Sequence, residues 1–364
     1  MNDVESTKAL ISRWIRPEIQ ALSAYHVPPS AGLIKLDAME NPYTWPEELI
    51  EAWLVNLRTT AVNRYPDPAG SELVARIRDV MRIPAGQGIM LGNGSDELIQ
   101  VLAMSVAEEG RCIMAPEPGF VMYQMIARFT GMDYLGVPLR AEDFSLDIEA
   151  MLSAIEARQP ALVFLAYPNN PTGNLWNRQE IERIVQASSG LVVIDEAYSP
   201  FASDSFMQDL GRYPNLLVMR TFSKLGLAGL RLGYLCGDEA LLVQFDKIRL
   251  PYNINTLTQV TADFALSHIE VFEQQAAQIR ASRSALVEGL RALPFTRVFP
   301  SEANFVLVRT QAGQAGRIHQ GLLEQGILIK NLSAAGGLLQ DCLRLTVGTE
   351  EENARLLSAL TSLA

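Results

Sequence analysis

Thr221-Phe222-Ser223-Lys224, with Arg231 seven residues beyond the lysine in Gly229-Leu230-Arg231-Leu232-Gly233, gathers two hydroxyls, an amine and a guanidinium in one short segment. An amine of this kind condenses with an aldehyde, while hydroxyls and a planar cation suit a phosphate dianion. The segment has the composition of a covalent anchor for a phosphorylated aldehyde. Lysine and arginine are also common on solvated surfaces, so taken alone it leaves both readings open.

Four more segments place polar or conformationally special residues where an apolar run ends. In Leu91-Gly92-Asn93-Gly94-Ser95-Asp96-Glu97-Leu98 a glycine-rich turn leads into a helical pattern. Glycines let backbone approach an anion, and helix N-terminal amides bind phosphate; a plain N-cap by Ser95 or Asp96 explains the same letters. Tyr167-Pro168-Asn169-Asn170-Pro171-Thr172-Gly173 is a rigid turn that offers asparagine amides from a stiff platform. In Val192-Val193-Ile194-Asp195-Glu196-Ala197-Tyr198 an aspartate closes a buried apolar strand. That is costly without a cationic partner; a protonated pyridine nitrogen would be one, and a cap on the next helix is the alternative. Finally, Cys342-Leu343-Arg344-Leu345-Thr346-Val347-Gly348 sets an arginine inside an apolar strand, aimed at a ligand or, on an edge, at solvent.

Strands and helices must bring these segments together. Short apolar runs at 89–91, 112–115, 134–137, 161–166, 191–194, 216–221 and 231–236 predict strands, with helices expected near 96–107, 121–129, 148–157 and 178–187. Near-continuous apolarity implies strands covered on both faces, and the alternation implies an α/β fold with a largely parallel sheet. Ligands then gather at the carboxyl ends of the strands. Beyond Pro251 the pattern becomes one or two long helices over 256–293, strands at 303–309 and 343–347, and helices near 316–325 and 350–363. The expected division is an N-terminal helix and extended arm (1–45), a large α/β domain (46–255) and a smaller α+β domain (256–364).

Composition narrows the function classes. The chain has 364 residues, 48% hydrophobic and 20% charged, enough to bury a sizeable core. A net charge of −11 argues against general nucleic-acid binding. No apolar run is long enough to span a bilayer, and Asp3 and Glu5 stand where a secretion signal would need apolar residues, so a cytoplasmic protein is expected. Cys112, Cys236 and Cys342 read as reduced core residues. His26, His268 and His319 show no ligand spacing, and no metal site is expected.

In order and spacing the five segments resemble the fold-type-I pyridoxal-phosphate aminotransferases over essentially the whole chain. Glu40-Asn41-Pro42-Tyr43, Arg64-Tyr65-Pro66-Asp67, Ile329-Lys330-Asn331 and Leu343 to Thr349 are similar to the histidinol-phosphate aminotransferase subfamily. The resemblance implies pyridoxal 5'-phosphate bound covalently by Lys224, with Asp195 on the pyridine nitrogen and Asn170 and Tyr198 on the ring hydroxyl oxygen. It implies Phe120 stacked on the ring, and the phosphate held by Ser95, Asp96, Thr221, Ser223 and Arg231, with Tyr65 reaching in from the partner of a homodimer. Arg344 would bind the substrate anion, helped by Tyr25 on the arm and by Lys330, which stands where the family often has a second arginine. Met39 likewise replaces an expected polar residue. The implied reaction transfers the amino group between histidinol phosphate and the glutamate/2-oxoglutarate pair. An aromatic amino-acid aminotransferase, a threonine-phosphate decarboxylase or a non-enzymatic cofactor-binding regulator would share the same cofactor constellation.

Overall fold

The computed structural model describes residues 7–24, 28–293 and 296–363. The large-sheet strands follow β1 (Ile34–Leu36) as β2 (Gln87–Gly92), β3 (Cys112–Glu117), β4 (Asp133–Pro138), β5 (Leu162–Ala166), β6 (Leu191–Asp195), β7 (Leu216–Thr221) and β8 (Gly233–Asp238). Then come β9 (Thr296–Val298), β10 (Phe305–Thr310), β11 (Ile327–Asn331) and β12 (Cys342–Thr346). Seven strands form one sheet in the order β2-β8-β7-β6-β5-β3-β4, and five form another in the order β1-β11-β12-β10-β9.

From β4 to β7 the large sheet is parallel; β8 runs antiparallel to both β7 and β2. The apolar runs follow from burial on both faces. In β5, Val163 and Leu165 enter a core with the helices Ile148–Arg158 and Arg178–Ala187. Leu162 and Phe164 enter the opposite core with the helices Ser95–Val106 and Val121–Thr130. Side chains alternate across a strand, so covering both faces turns an alternating pattern into a continuous one.

The expected strand at 231–236 lies two residues further on, because Arg231 takes a left-handed conformation (φ 50°) that ends a turn and cannot sit in a strand. Three strands carried no separate signal. Thr296–Val298 and Ile34–Leu36 are three residues each, and Ile327–Asn331 directly follows the helix Ala315–Glu324. β1 pairs in parallel with β11, so the N-terminal arm is stitched into the small sheet.

The stretch 256–293 is two helices, Thr256–Leu266 and Ile269–Arg291, parted where the Ser267 hydroxyl donates to the Phe264 carbonyl at 2.7 Å. The longer helix ties the two halves together. Its Phe272 packs in the large-sheet core, while Ile279, Leu286 and Leu290 pack in the small-sheet core. No helix of the described residues is long and apolar enough to cross a membrane.

Candidate active site

The parallel strands β5, β6 and β7 end side by side, and each hands over to one motif segment: Tyr167–Gly173, Asp195–Tyr198 and Thr221–Arg231. This is the sheet edge where parallel topology leaves room for a ligand. A cavity of about 390 Å³ lies there, lined by Ser95, Asp96, Phe120, Asn170, Asp195, Tyr198, Thr221, Ser223, Lys224 and Arg231. Ala38, Met39 and Glu40, which follow β1, form part of its wall. Segments more than a hundred residues apart in sequence therefore share one chamber.

One end of the cavity is built for an anion. The residue preceding the helix Ser95–Val106 is Gly94, and no side chain caps that helix, so its leading N–H groups stay available. This argues against the plain N-cap reading of Ser95 and Asp96. Gly94 has φ +83°, and a Cβ there would stand 2.7 Å from Arg231 Nη2. The Thr221 hydroxyl donates to Ser223 Oγ at 3.0 Å, and Arg231 approaches Ser223 Oγ and an Asp96 carboxylate oxygen at 3.5 Å each. Amides, hydroxyls and a guanidinium thus converge as a phosphate would require.

In the middle stand the amine and the buried acid. Lys224 Nζ donates to the Ala38 carbonyl at 3.2 Å. Burial first, and then the positive charge of Arg344, pull its pKa down to about 8. A much larger share of this amine is therefore neutral and nucleophilic near neutrality than for an exposed lysine. Asp195 is 4% exposed. Its Oδ2 accepts from the Tyr123 hydroxyl at 2.7 Å and its Oδ1 from the Ala197 amide at 3.1 Å. Both donors are uncharged, and burial pushes the carboxyl up to about 6. The neighbouring Glu196 differs: Arg220 meets it through Nε and Nη2 at 2.9 and 2.8 Å.

Arg344 lines a neighbouring cavity. Its strand β12 lies inside the small sheet, between β11 and β10, and its side chain is buried, so the solvated-edge reading fails. Nη1 donates to Asn170 Oδ1 at 2.7 Å and Nη2 to the Asp37 carbonyl at 2.9 Å, while Asn170 Nδ2 donates to the Tyr198 hydroxyl at 3.1 Å. This chain of bonds clamps the small sheet to the turn after β5. Lys330 stands opposite Arg344 in the β11–β12 register. Both line a second cavity of about 650 Å³ that shares Met39, Phe120 and Asn170 with the first. Met39 itself holds a left-handed backbone (φ 53°) between the two chambers.

One expected residue, Tyr65, is not part of this assembly. Tyr65 is 81% exposed and stacks on Tyr252 with ring centroids 4.5 Å apart, outside the residues lining either cavity. Tyr25 lies outside the described residues. Two participants went unread in the sequence: the Ala38 carbonyl, which as backbone carries no residue signature, and Tyr123. A tyrosine three residues after Phe120, among the apolar residues of a helix, was the available signal for the latter.

The sequence profile for the family Aminotransferase class I and II matches residues 31–360. The chain belongs to that family. All five motif segments of this aminotransferase fall within the matched span. It is 57% identical over 354 residues to histidinol-phosphate aminotransferase 2 of Nitrosococcus oceani, covering 97% of this chain and 98% of the relative. Against histidinol-phosphate aminotransferase of Chromobacterium violaceum the identity is 54% over 353 residues, 97% and 98% of the two chains. Among solved structures, histidinol-phosphate aminotransferase of Sinorhizobium meliloti in complex with pyridoxal-5'-phosphate superposes with a TM-score of 0.86 at 26% identity, over 97% of each chain.

Proposed function

We propose that this aminotransferase uses pyridoxal 5'-phosphate to exchange an amino group between histidinol phosphate and the glutamate/2-oxoglutarate pair, as a step of histidine biosynthesis. The observation that carries the reading is the convergence of Lys224, Asp195 and Arg344 on adjoining chambers, with a phosphate cradle at one end. Full-length identity to relatives bearing that name supports the substrate.

The residues present fit the cofactor. Among the described residues Asp195 is a buried acid held by two neutral donors, which is the setting a ring cation would complete. The cradle around Gly94 is closed to a Cβ yet rich in donors for a phosphate. When bound, the cofactor supplies an aldehyde for amine exchange and an electron sink for bond breaking at the substrate's α-carbon.

Each residue then has a definite task. Lys224 Nζ would hold the cofactor through its aldehyde, and the same amine, when free, would serve as the base and acid that moves the proton from the substrate's α-carbon. Its lowered proton affinity suits both duties, whereas an arginine would stay charged. Asp195 would keep the proton on the ring nitrogen. Asn170 and Tyr198 would orient the ring hydroxyl oxygen, and Phe120 would cover the ring. Ser95, Asp96, Thr221, Ser223 and Arg231 would hold the phosphate. Arg344 receives the substrate's phosphate or carboxylate, with Lys330 adding a second positive charge.

The enzyme acts as a homodimer in the cytoplasm. Val62, Tyr65, Leu250 and Tyr252 are exposed apolar or aromatic side chains, and Tyr65 would reach the phosphate of the partner's site. Three buried free cysteines accord with a reducing compartment. Tyr25, on the arm, would help Arg344. The division into arm (1–45), large domain (46–255) and small domain (256–364) is proposed with the site at their junction.

Steady-state turnover tests the substrate. With 2-oxoglutarate as acceptor, histidinol phosphate should give glutamate with a kcat/KM at least about a hundredfold above that of phenylalanine. A preference for aromatic amino acids, or release of carbon dioxide from threonine phosphate, would replace this reading with one of its sister activities.

A further inference from the structure

Tyr123 has no part in the chemistry described so far, yet its hydroxyl makes one of the two polar contacts of the buried acid at the centre of the site. We propose that Tyr123 is a positioning residue, whose phenol holds the Asp195 carboxylate ionised and aimed at the cofactor's ring nitrogen. The inference rests on the reading of Asp195 as the partner of that nitrogen.

The geometry is specific. The Tyr123 hydroxyl donates to Asp195 Oδ2 at 2.7 Å, a length suited to a phenol bonded to a charged oxygen. Oδ1 is taken by the Ala197 amide, so the plane of the carboxylate is fixed from two sides. A carboxylate has lone pairs to spare for a third partner. Tyr123 is itself immobilised: its ring stacks on Phe164 with centroids 4.6 Å apart and planes 10° apart, and meets Phe120 edge-on at 5.5 Å. Phe120 lines the cavity, where it would cover the cofactor ring. One tyrosine therefore touches both the residue that would cover the ring and the one that would bind its nitrogen.

The electrostatics give the hydroxyl a purpose. Burial works against charge on Asp195, and the carboxylates of Asp96, at the start of the helix Ser95–Val106, and of Glu196, next in the chain, work in the same direction. Glu196 is tied to Arg220; Tyr198 also faces Asp195, and Lys224 lines the same cavity. Tyr123 is the largest influence favouring the ionised form. Burial and the nearby Asp195 charge hold the phenol proton well beyond its ordinary range, so Tyr123 remains a donor throughout the working pH. A hydrogen bond to a charged group is worth about ten- to a hundredfold in proton affinity.

Tyr123→Phe removes the hydroxyl and keeps the stacked ring. Two readouts separate positioning from mere packing: cofactor affinity by fluorescence quenching between about pH 6 and pH 8, and the nitrogen-15 signal of ring-labelled cofactor. Affinity is compared as the variant-to-wild-type ratio at each pH, so that the titration of Lys224 common to both proteins cancels. The variant should bind about tenfold more weakly, with the deficit growing as pH falls and the ring nitrogen shifting toward its unprotonated signal. In an Asp195→Asn background, adding Tyr123→Phe should change affinity by less than about twofold, because the residue acts through Asp195. A pH-independent deficit with an unchanged nitrogen signal would overturn the proposal, as would a further tenfold loss in the Asn background. If Asp195→Asn alone leaves affinity and nitrogen signal at wild-type values, the reading of Asp195 itself fails. Should Tyr123→Phe not fold, site-specific fluorotyrosine keeps the shape and strengthens the donor; affinity near pH 6 should then rise, and an unchanged value overturns the proposal.

Discussion

Asp195 shows what a single residue contributes and costs. Its carboxyl holds a proton more tightly in the folded protein than the ordinary value of 3.8, near 6, because burial disfavours the charge. The sign of the linkage follows. In the protein without cofactor, this group's contribution to stability is complete below about pH 4 and is lost as pH rises through about 6. Asp195→Asn cannot ionise, so the cofactor-free variant should be more stable than wild type near pH 7.5, by on the order of 2 kcal/mol. The difference should vanish near pH 4; denaturant titrations with equal pH slopes for the two proteins would contradict this. Lys224, Asp195 and Arg231 were legible in sequence because their letters sit in short, dense motifs. The Ala38 carbonyl was not, since a backbone oxygen has no letter of its own, and Tyr123 was hidden by reading as one more aromatic of a helix core.

At the scale of elements, the site depends on where strands stop and on what the connecting turns permit. Gly94 is the sharpest case: φ +83° favours glycine, and the space a Cβ would need is filled by the Arg231 guanidinium 2.7 Å away. Gly94→Ala should lower cofactor affinity about tenfold through displacement of Arg231, with a stability loss of about 1–3 kcal/mol, read by equilibrium dialysis and denaturant unfolding. Unchanged affinity would mean that Arg231 does not hold the phosphate. Strands β3 to β7 were readable because helices cover both faces and force continuous apolar runs. β1 and β9 are too short to carry a pattern, and the pairing of β1 with β11 joins opposite ends of the chain, which no local window reports. The arginine of the fifth motif could be read as buried or as solvated until its strand was placed between β11 and β10.

The whole molecule adds what no single chain's motifs contain. Lys330 and Arg344 become neighbours only through the register of two antiparallel strands, and they face a chamber shared with the loops of the other sheet. Tyr65 stands exposed beside Tyr252, away from the site of its own chain. In a homodimer it would complete the partner's phosphate cradle. Tyr65→Phe should then weaken cofactor retention about tenfold without changing the protein's sedimentation. A monomer that remains fully active on dilution would remove Tyr65 from that role. Fold and reaction class were legible because five motifs constrain one another; the substrate was less so, because it depends on side chains assembled from both sheets.

The most direct measurement follows the visible absorbance of cofactor-loaded enzyme during one turnover without an amino acceptor. Histidinol phosphate should discharge the band rapidly and leave the cofactor in its amine form, while Lys224→Ala should lack the band and convert at least about a thousandfold more slowly. A band that persists with histidinol phosphate but is discharged by phenylalanine or threonine phosphate would contradict the account.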